Sequence, residues 1–316
     1  MMRREWFDPF RSDVEVVFAA AEQLVQNYPG PISHYAGEQL KLANPLLRDS
    51  GHSYIGYIIP LWMQHAGPGR LPAETAHKLS TACLIHMLYF LIQDEIMDQR
   101  PEDITLKLAL GNLYYVDALG IYRELFGNTS LFWSYYRQYV MEWSTGVTEE
   151  TMSDPFGINP LRNAQKAAPL LLGAAGSLLL LEQEERIPSL CADLDIALMT
   201  LQMTDDFTDF NEDAEHGNYN SFLSYVSSAM KLDYPAYPVS EQVIRNTYNS
   251  RFMKSYADIA WHHYTLTSSN DWIPQLRSFN LFLCSALDQA IEEVEAHKKS
   301  LMQGGFSYLI HASQQS

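Results

Sequence analysis

Two short stretches of this chain collect carboxylates at a spacing that suits divalent-cation chemistry. The first, "QDEIMDQR", carries Asp94, Glu95 and Asp98; the second, "TDDFTDFNEDAEHGNYN" over 204–220, carries six acids, among them Asp205, Asp206, Asp209 and Asp213. Asp94 and Asp98 are four residues apart, as are Asp205 and Asp209. On a helix that spacing puts both members on one face, with Cβ atoms roughly 5–6 Å apart. Like charges so placed repel by a few tenths of a kcal/mol, and acids near a helix C-terminus also oppose the macrodipole. A lone acidic helix end is ordinarily just solvated. The same costly arrangement at the ends of two apolar helices asks for a compensating partner. A hard cation such as Mg²⁺, which takes one or two carboxylates, waters and substrate phosphates, is the natural one. A calcium loop of the EF-hand kind does not fit, because Ala214 stands where the sharp turn wants Gly and Asn220 where a bidentate Glu is needed.

The elements that must carry these acids are helical. Apolar residues recur at helical spacing nearly throughout, and no run alternates in the manner of a strand. The pattern predicts helices over 12–27, 35–46, 52–65, 73–97, 102–126 and 130–148, then 163–181, 188–209, 221–230, 240–267 and 272–303. Breakers such as "YPGP", "GPGRLP", "GNTS", "DPFGINP" and "DYPAYP" separate them. No Ser/Gly/Pro tract, low-complexity run or repeat divides the chain, so one all-α domain over 1–316 is expected. Several helices are apolar around their whole circumference, which places them in the interior.

Bulk properties exclude whole classes. A net charge of −17 argues against a nucleic-acid surface, which needs clustered Lys and Arg. It suits the handling of anions only where a cation mediates. Cys83, Cys191 and Cys284 are too few and too scattered for a disulfide framework or a zinc site, so a reducing cytoplasm is expected. The start, "MMRREWFDPFRSD", lacks the apolar segment of a signal peptide. The longest apolar run, "AAPLLLGAAGSLLLL" at 167–181, is shorter than the ~18 residues of a membrane span, so no stable membrane insertion is expected. "GHSYIG" has one residue too many for a nucleophile elbow. The adjacent His262 and His263 point to different faces of a helix, and no Gly-rich phosphate loop occurs.

The acidic stretches carry a resemblance to the class I trans-isoprenoid synthases, the prenyl diphosphate synthases, head-to-head synthases and terpene cyclases. "DEIMD" resembles their first aspartate-rich motif. "QMTDDFTD" resembles the second, through Gln202, Asp205, Asp206 and Asp209, and "DFNEDAEHGNY" resembles its continuation in squalene and phytoene synthases, through Asp209, Glu212, Asp213 and Gly217. "KAAPLL" resembles the helix whose lysine contacts diphosphate, although Ala167 replaces the usual Thr. The correspondence runs from about residue 73 to 225, with the motifs in order.

The resemblance implies an isoprenoid-synthase helical bundle with a central apolar cavity, three Mg²⁺ ions, a prenyl diphosphate substrate and ionisation with loss of diphosphate. It allows a homodimer. Asp94, Asp98, Asp205 and Asp209 are the implied metal holders, with Glu95, Asp206 and Asp213 behind them; Lys166, Arg162 and Gln202 are implied at the diphosphate. A carbocation would need an aromatic wall, for which Tyr89, Phe90, Phe207, Trp143 and Trp261 are candidates, followed by Phe210 and Tyr139. Chain-elongating members hold a second diphosphate on a Lys/Arg-rich motif, whereas the corresponding "DSGHSYIGYIIPLW" has neither residue, and the paired arginines after the first motif reduce to Arg100. The sequence therefore points to a cyclase acting on farnesyl or geranylgeranyl diphosphate. Head-to-head condensation, chain elongation and an inactive helical subunit are the alternatives.

Overall fold

The computed structural model describes residues 4–47, 55–65, 69–99, 103–150, 152–234, 238–267 and 271–312, and among them there is no strand. Among the described residues thirteen α-helices follow one another: α1 Arg11–Val25, α2 Gly30–Ala43, α3 Ile55–Trp62, α4 Ala73–Gln99, α5 Ile104–Phe126, α6 Phe132–Glu149, α7 Pro155–Ile158, α8 Leu172–Leu180, α9 Ile187–His216, α10 Ser221–Ala229, α11 Glu241–Thr247, α12 Ser250–Leu266 and α13 Pro274–Ala312. Short 3₁₀ turns at Asp8–Phe10 and Glu184–Arg186, and a long one at Pro160–Leu171, complete the described elements.

Contacts divide the chain into two compact units. One comprises Met1–Thr145, Gln165–Asp195 and Thr267–Phe279; the other comprises Gly146–Ala164, Ile196–Leu266 and Asn280–Ser316. Three of the borders fall inside α6, α9 and α13.

In the first unit α4 packs against α1, α3, α5 and α8. Every residue of α3 is buried, and Leu79, Ala82, Leu84, Ile85 and Leu88 of α4 are buried with it. Close approach sets the register: a Cβ added at Gly56 of α3 would stand 2.7 Å from Met87 Sδ, and one at Gly176 of α8 would stand 3.0 Å from Phe126 Cζ. Trp62 Nε1 donates to the Trp6 carbonyl at 2.8 Å, which satisfies a polar group that burial would otherwise penalise.

In the second unit α10 packs against α7, α11 and α12. Phe207, Phe210, Phe222 and Tyr256 form its aromatic centre, with ring centroids 5.0 Å apart for Phe207–Phe222 and for Phe222–Tyr256.

Three expected helices differ in the structure. The one expected to end at residue 209 continues as α9 to His216, so the second acidic stretch is helical almost throughout. It ends at Gly217, whose φ of 78° is a left-handed stop that glycine adopts without strain. The segment 163–181 is not one helix, because Pro169 offers no N–H and the chain stays 3₁₀ up to Leu171. The segment 240–267 breaks into α11 and α12, and Asn249 Oδ1 accepts from Arg251 N at 3.0 Å at the restart. Residues 52–54 and Glu102 of the expected helices lie outside the described residues.

Candidate active site

In the first unit, the apolar core of α4 gives way to half-buried residues at Tyr89 and then to acids. Asp94 and Glu95 are partly exposed; Asp98 falls on the same helix, and its side chain lies outside the described set, as does Arg100. Glu95 is held by Lys107 of α5, whose Nζ is 2.5 Å from Glu95 Oε1 and 3.1 Å from Asp103 Oδ1. Lys107 is only 5% exposed, an ammonium buried between two carboxylates. Burial alone would lower its pKa, and the bonds to Glu95 and Asp103 outweigh that and raise it.

One helical turn before Asp94, the structure brings together three of the expected pocket residues. Phe90 meets Trp143 of α6 with ring centroids 4.8 Å apart, and Tyr89 meets Phe90 at 5.0 Å and Tyr115 at 5.3 Å. His86 sits among these rings, 4.8 Å from Phe90 and 5.3 Å from Tyr136, and its Nε2 lies 3.1 Å from Tyr136 Oη. Burial pulls its pKa down to about 3. Tyr139 pairs instead with Cys191, Oη to Sγ 3.2 Å.

The second unit builds its acidic stretch on the last turns of α9. Asp209 is exposed and Asp205 half-buried. Partial desolvation raises the Asp209 pKa, and the negative charges of Asp205, Glu212 and Asp206 raise it further. Asp213 is also raised, chiefly by burial, against hydrogen bonds from Asn220 and Asn218. The part of these shifts that comes from neighbouring negative charge is what a bound cation would relieve.

Asp206 is different. It is 5% exposed, and its Oδ2 accepts from Ser221 N at 2.9 Å, from Ser221 Oγ in a short contact and from Asn163 Nδ2 at 3.4 Å. Gln202 Nε2 donates to its other oxygen at 2.8 Å. Asn220 adds a second tie, donating through Nδ2 to the Asp206 carbonyl at 2.7 Å and to Asp213 Oδ2 at 2.8 Å. Its own Oδ1 caps α10 by accepting from Phe222 N and Leu223 N. Asp206 and Gln202, both expected at the cations or the diphosphate, are thus engaged in joining α9 to the start of α10.

Arg162 and Lys166 lie on the 3₁₀ segment Pro160–Leu171. With three residues per turn, positions four apart point roughly 120° from each other, where an α-helix would nearly align them. Arg162 forms a short ion pair with Glu149. Phe207 is buried among Phe210 and Phe222, and Trp261 donates from Nε1 to Asp288 at 2.8 Å. Neither joins a described group with Tyr89, Phe90 and Trp143.

Sequence reasoning missed Lys107, Asn163, Asn220 and Ser221. Only Lys107 carried a visible signal, a lone cation inside the apolar run "ITLKLALG". Among the described residues no three His, Cys, Asp or Glu side chains converge into a metal cage. The candidate donors are hard carboxylate oxygens, and they suit an ion that completes its shell with waters and phosphates. No helix among the described residues is long and apolar enough to cross a membrane.

No family model matches the chain, and no curated protein sequence does. Two solved structures do. Geranylgeranyl pyrophosphate synthase from Lactobacillus brevis ATCC 367 superposes with a TM-score of 0.64 at 15% identity, over 90% of this chain and 100% of that one. Geranylgeranyl pyrophosphate synthase from Corynebacterium glutamicum ATCC 13032 gives 0.60 at 17% identity, over 90% of this chain and 96% of that one. At such identities the likeness is one of fold: the chain has the all-α isoprenoid-synthase fold.

Proposed function

We propose that the chain is a Mg²⁺-dependent enzyme acting on a prenyl diphosphate. The observation that carries this reading is the recurrence of a D-x-x-x-D carboxylate pair on two largely apolar helices, in a chain with the fold of two geranylgeranyl pyrophosphate synthases. Asp94 and Asp98 on α4, with Asp205 and Asp209 on α9, are the proposed metal holders, and Asp213 supports them. Magnesium, when bound, supplies Lewis-acid stabilisation of the negative charge that leaves with diphosphate. The carboxylates themselves take no proton from the substrate. Asp206 positions the C-terminal part of α9 through Ser221. Lys166 is the proposed diphosphate contact; Arg162 is ion-paired with Glu149 through one terminal nitrogen. The rings of Tyr89, Phe90 and Trp143 offer negative faces to an allylic cation, each worth about 0.5–2 kcal/mol.

Chain elongation is the better supported branch, since both solved neighbours are named for making a prenyl diphosphate. Cyclisation rests on two sequence observations, the absence of Lys and Arg from 49–62 and the single Arg100 after the first motif, of which 49–54 and Arg100 lie outside the described residues. Incubation with geranyl, farnesyl and geranylgeranyl diphosphates, with and without isopentenyl diphosphate, separates the two. Elongation gives longer diphosphates only when isopentenyl diphosphate is present; a cyclase gives a hydrocarbon or alcohol without it. No Mg²⁺-dependent release of diphosphate from any of them would end the proposal.

A further inference from the structure

We infer that Lys107 is a positioning residue for the first acidic stretch: it withdraws Glu95 from the cation-holding set and fixes the acidic end of α4 to α5. This rests on the function proposed above. Lys107 Nζ reaches Glu95 on α4 at 2.5 Å and Asp103, which precedes α5, at 3.1 Å. Asp103 is tied in turn to Tyr35 of α2 by a hydrogen bond. Three helices therefore meet at one buried ammonium. The Lys107 side chain is 6% exposed while the Glu95 and Asp103 side chains are 38% and 40% exposed, so the cation is the inner member and the acids reach in to it. Three consequences follow from elementary chemistry.

Glu95 spends one oxygen on Lys107 and is electrostatically neutralised there, so it does not compete with Asp94 for a divalent cation. Asp94 and Glu95 are also adjacent in sequence, and adjacent helical residues point to different sides. Finally, the tether fixes the rotation of α4 about its own axis at the turn where Asp94 and Asp98 emerge. An outer group that orients a metal-binding element typically matters by 10–100-fold in metal affinity or activity.

Lys107→Met tests this without a bias toward unfolding, because an apolar side chain of similar length suits a buried site and the partners left behind are partly exposed. The variant is expected to lose turnover by about 10–100-fold while still melting cooperatively. Adding Glu95→Gln to Lys107→Met should restore the share of that loss caused by the released carboxylate, and the share caused by the lost tether stays; Lys107→Arg, which keeps the ion pairs, should restore both. Glu95→Gln alone should shift the half-saturating Mg²⁺ far less than Asp94→Asn. A second readout is independent of turnover: the joint thermal shift given by Mg²⁺ plus inorganic diphosphate should shrink in Lys107→Met and recover in part in the double variant. A double variant as impaired as Lys107→Met, or a Glu95→Gln effect equal to that of Asp94→Asn, would overturn the inference and leave the proposed function standing. A wild-type chain with neither turnover nor a joint shift would overturn both.

Discussion

Asp206→Ala distinguishes a carboxylate that holds the fold from neighbours that merely repel one another. The side chain is 5% exposed and accepts three bonds of 2.9 Å or less, from Ser221 N, Ser221 Oγ and Gln202 Nε2. Hydrogen bonds to a charged group contribute about 1.5–3 kcal/mol each. Part of that returns on truncation, because Gln202 is only half-buried and finds water, and because Asp209 and Asp213 lose a repulsive neighbour. Ser221, fully buried, keeps Tyr256 Oη as a partner for its hydroxyl at 2.6 Å, but its N–H loses its acceptor with no water to replace it. A net loss of about 3–5 kcal/mol is the size seen when one member of a buried charged network is removed. For a chain of 316 residues an unfolding entropy of ~2.1 cal/mol/K per residue converts this to a fall of about 5–7 °C in Tm. Asp209→Ala, at an exposed position with a raised pKa, should change stability by less than about 0.5 kcal/mol or improve it. Scanning calorimetry near neutral pH without divalent cations reads both. An Asp206→Ala protein that melts within a degree of the wild type, or an Asp209→Ala protein that falls as far, refutes the reasoning.

Asp94→Ala should reduce turnover to background with an unchanged melting temperature, since the residue lost is a partly exposed acid; a large stability loss would mark it as structural instead. Burial, with the charge of Glu142 behind it, pushes Asp195 up to about 7 from an ordinary 3.8, so the folded chain keeps a proton that the unfolded chain has released. Stability from this group is therefore greatest at low pH and is lost as pH rises toward 7. Asp195→Asn should gain on the wild type between about pH 4 and about pH 7 in urea midpoints, and parallel profiles there would count against it. Lys166→Ala should weaken the joint thermal shift with Mg²⁺ and inorganic diphosphate; an unchanged shift would remove Lys166 from the diphosphate contact.

The all-α architecture was legible because helical periodicity is a local property, and breakers such as "GNTS" sit where helices do stop, at Phe126 and before Phe132. Boundaries failed where a single residue overrides the pattern. Pro169 turns a predicted α-helix into a 3₁₀ segment, and in α9 the acids that suggested an end at Asp209 are tolerated for two further turns. The acidic stretches themselves were visible as types at a spacing. What each acid does was not visible, because it depends on partners far along the chain. Asp206 meets Ser221, and Glu95 meets Lys107; no periodicity encodes such pairings. The aromatic residues show the same limit: Tyr89, Phe90 and Trp143 assemble, whereas Phe207 and Trp261 fill places of their own.

His86, enclosed by Phe90, Tyr89, Tyr122 and Tyr136, takes on a charge only in acid near pH 3. Across the range in which cells live it is one more flat ring with a single polar handle. The ring cluster one turn before Asp94 consequently keeps the same electrical character whatever the medium does. On the proposed chemistry, an electron-poor carbon brought against these rings would meet π-faces and never an imidazolium.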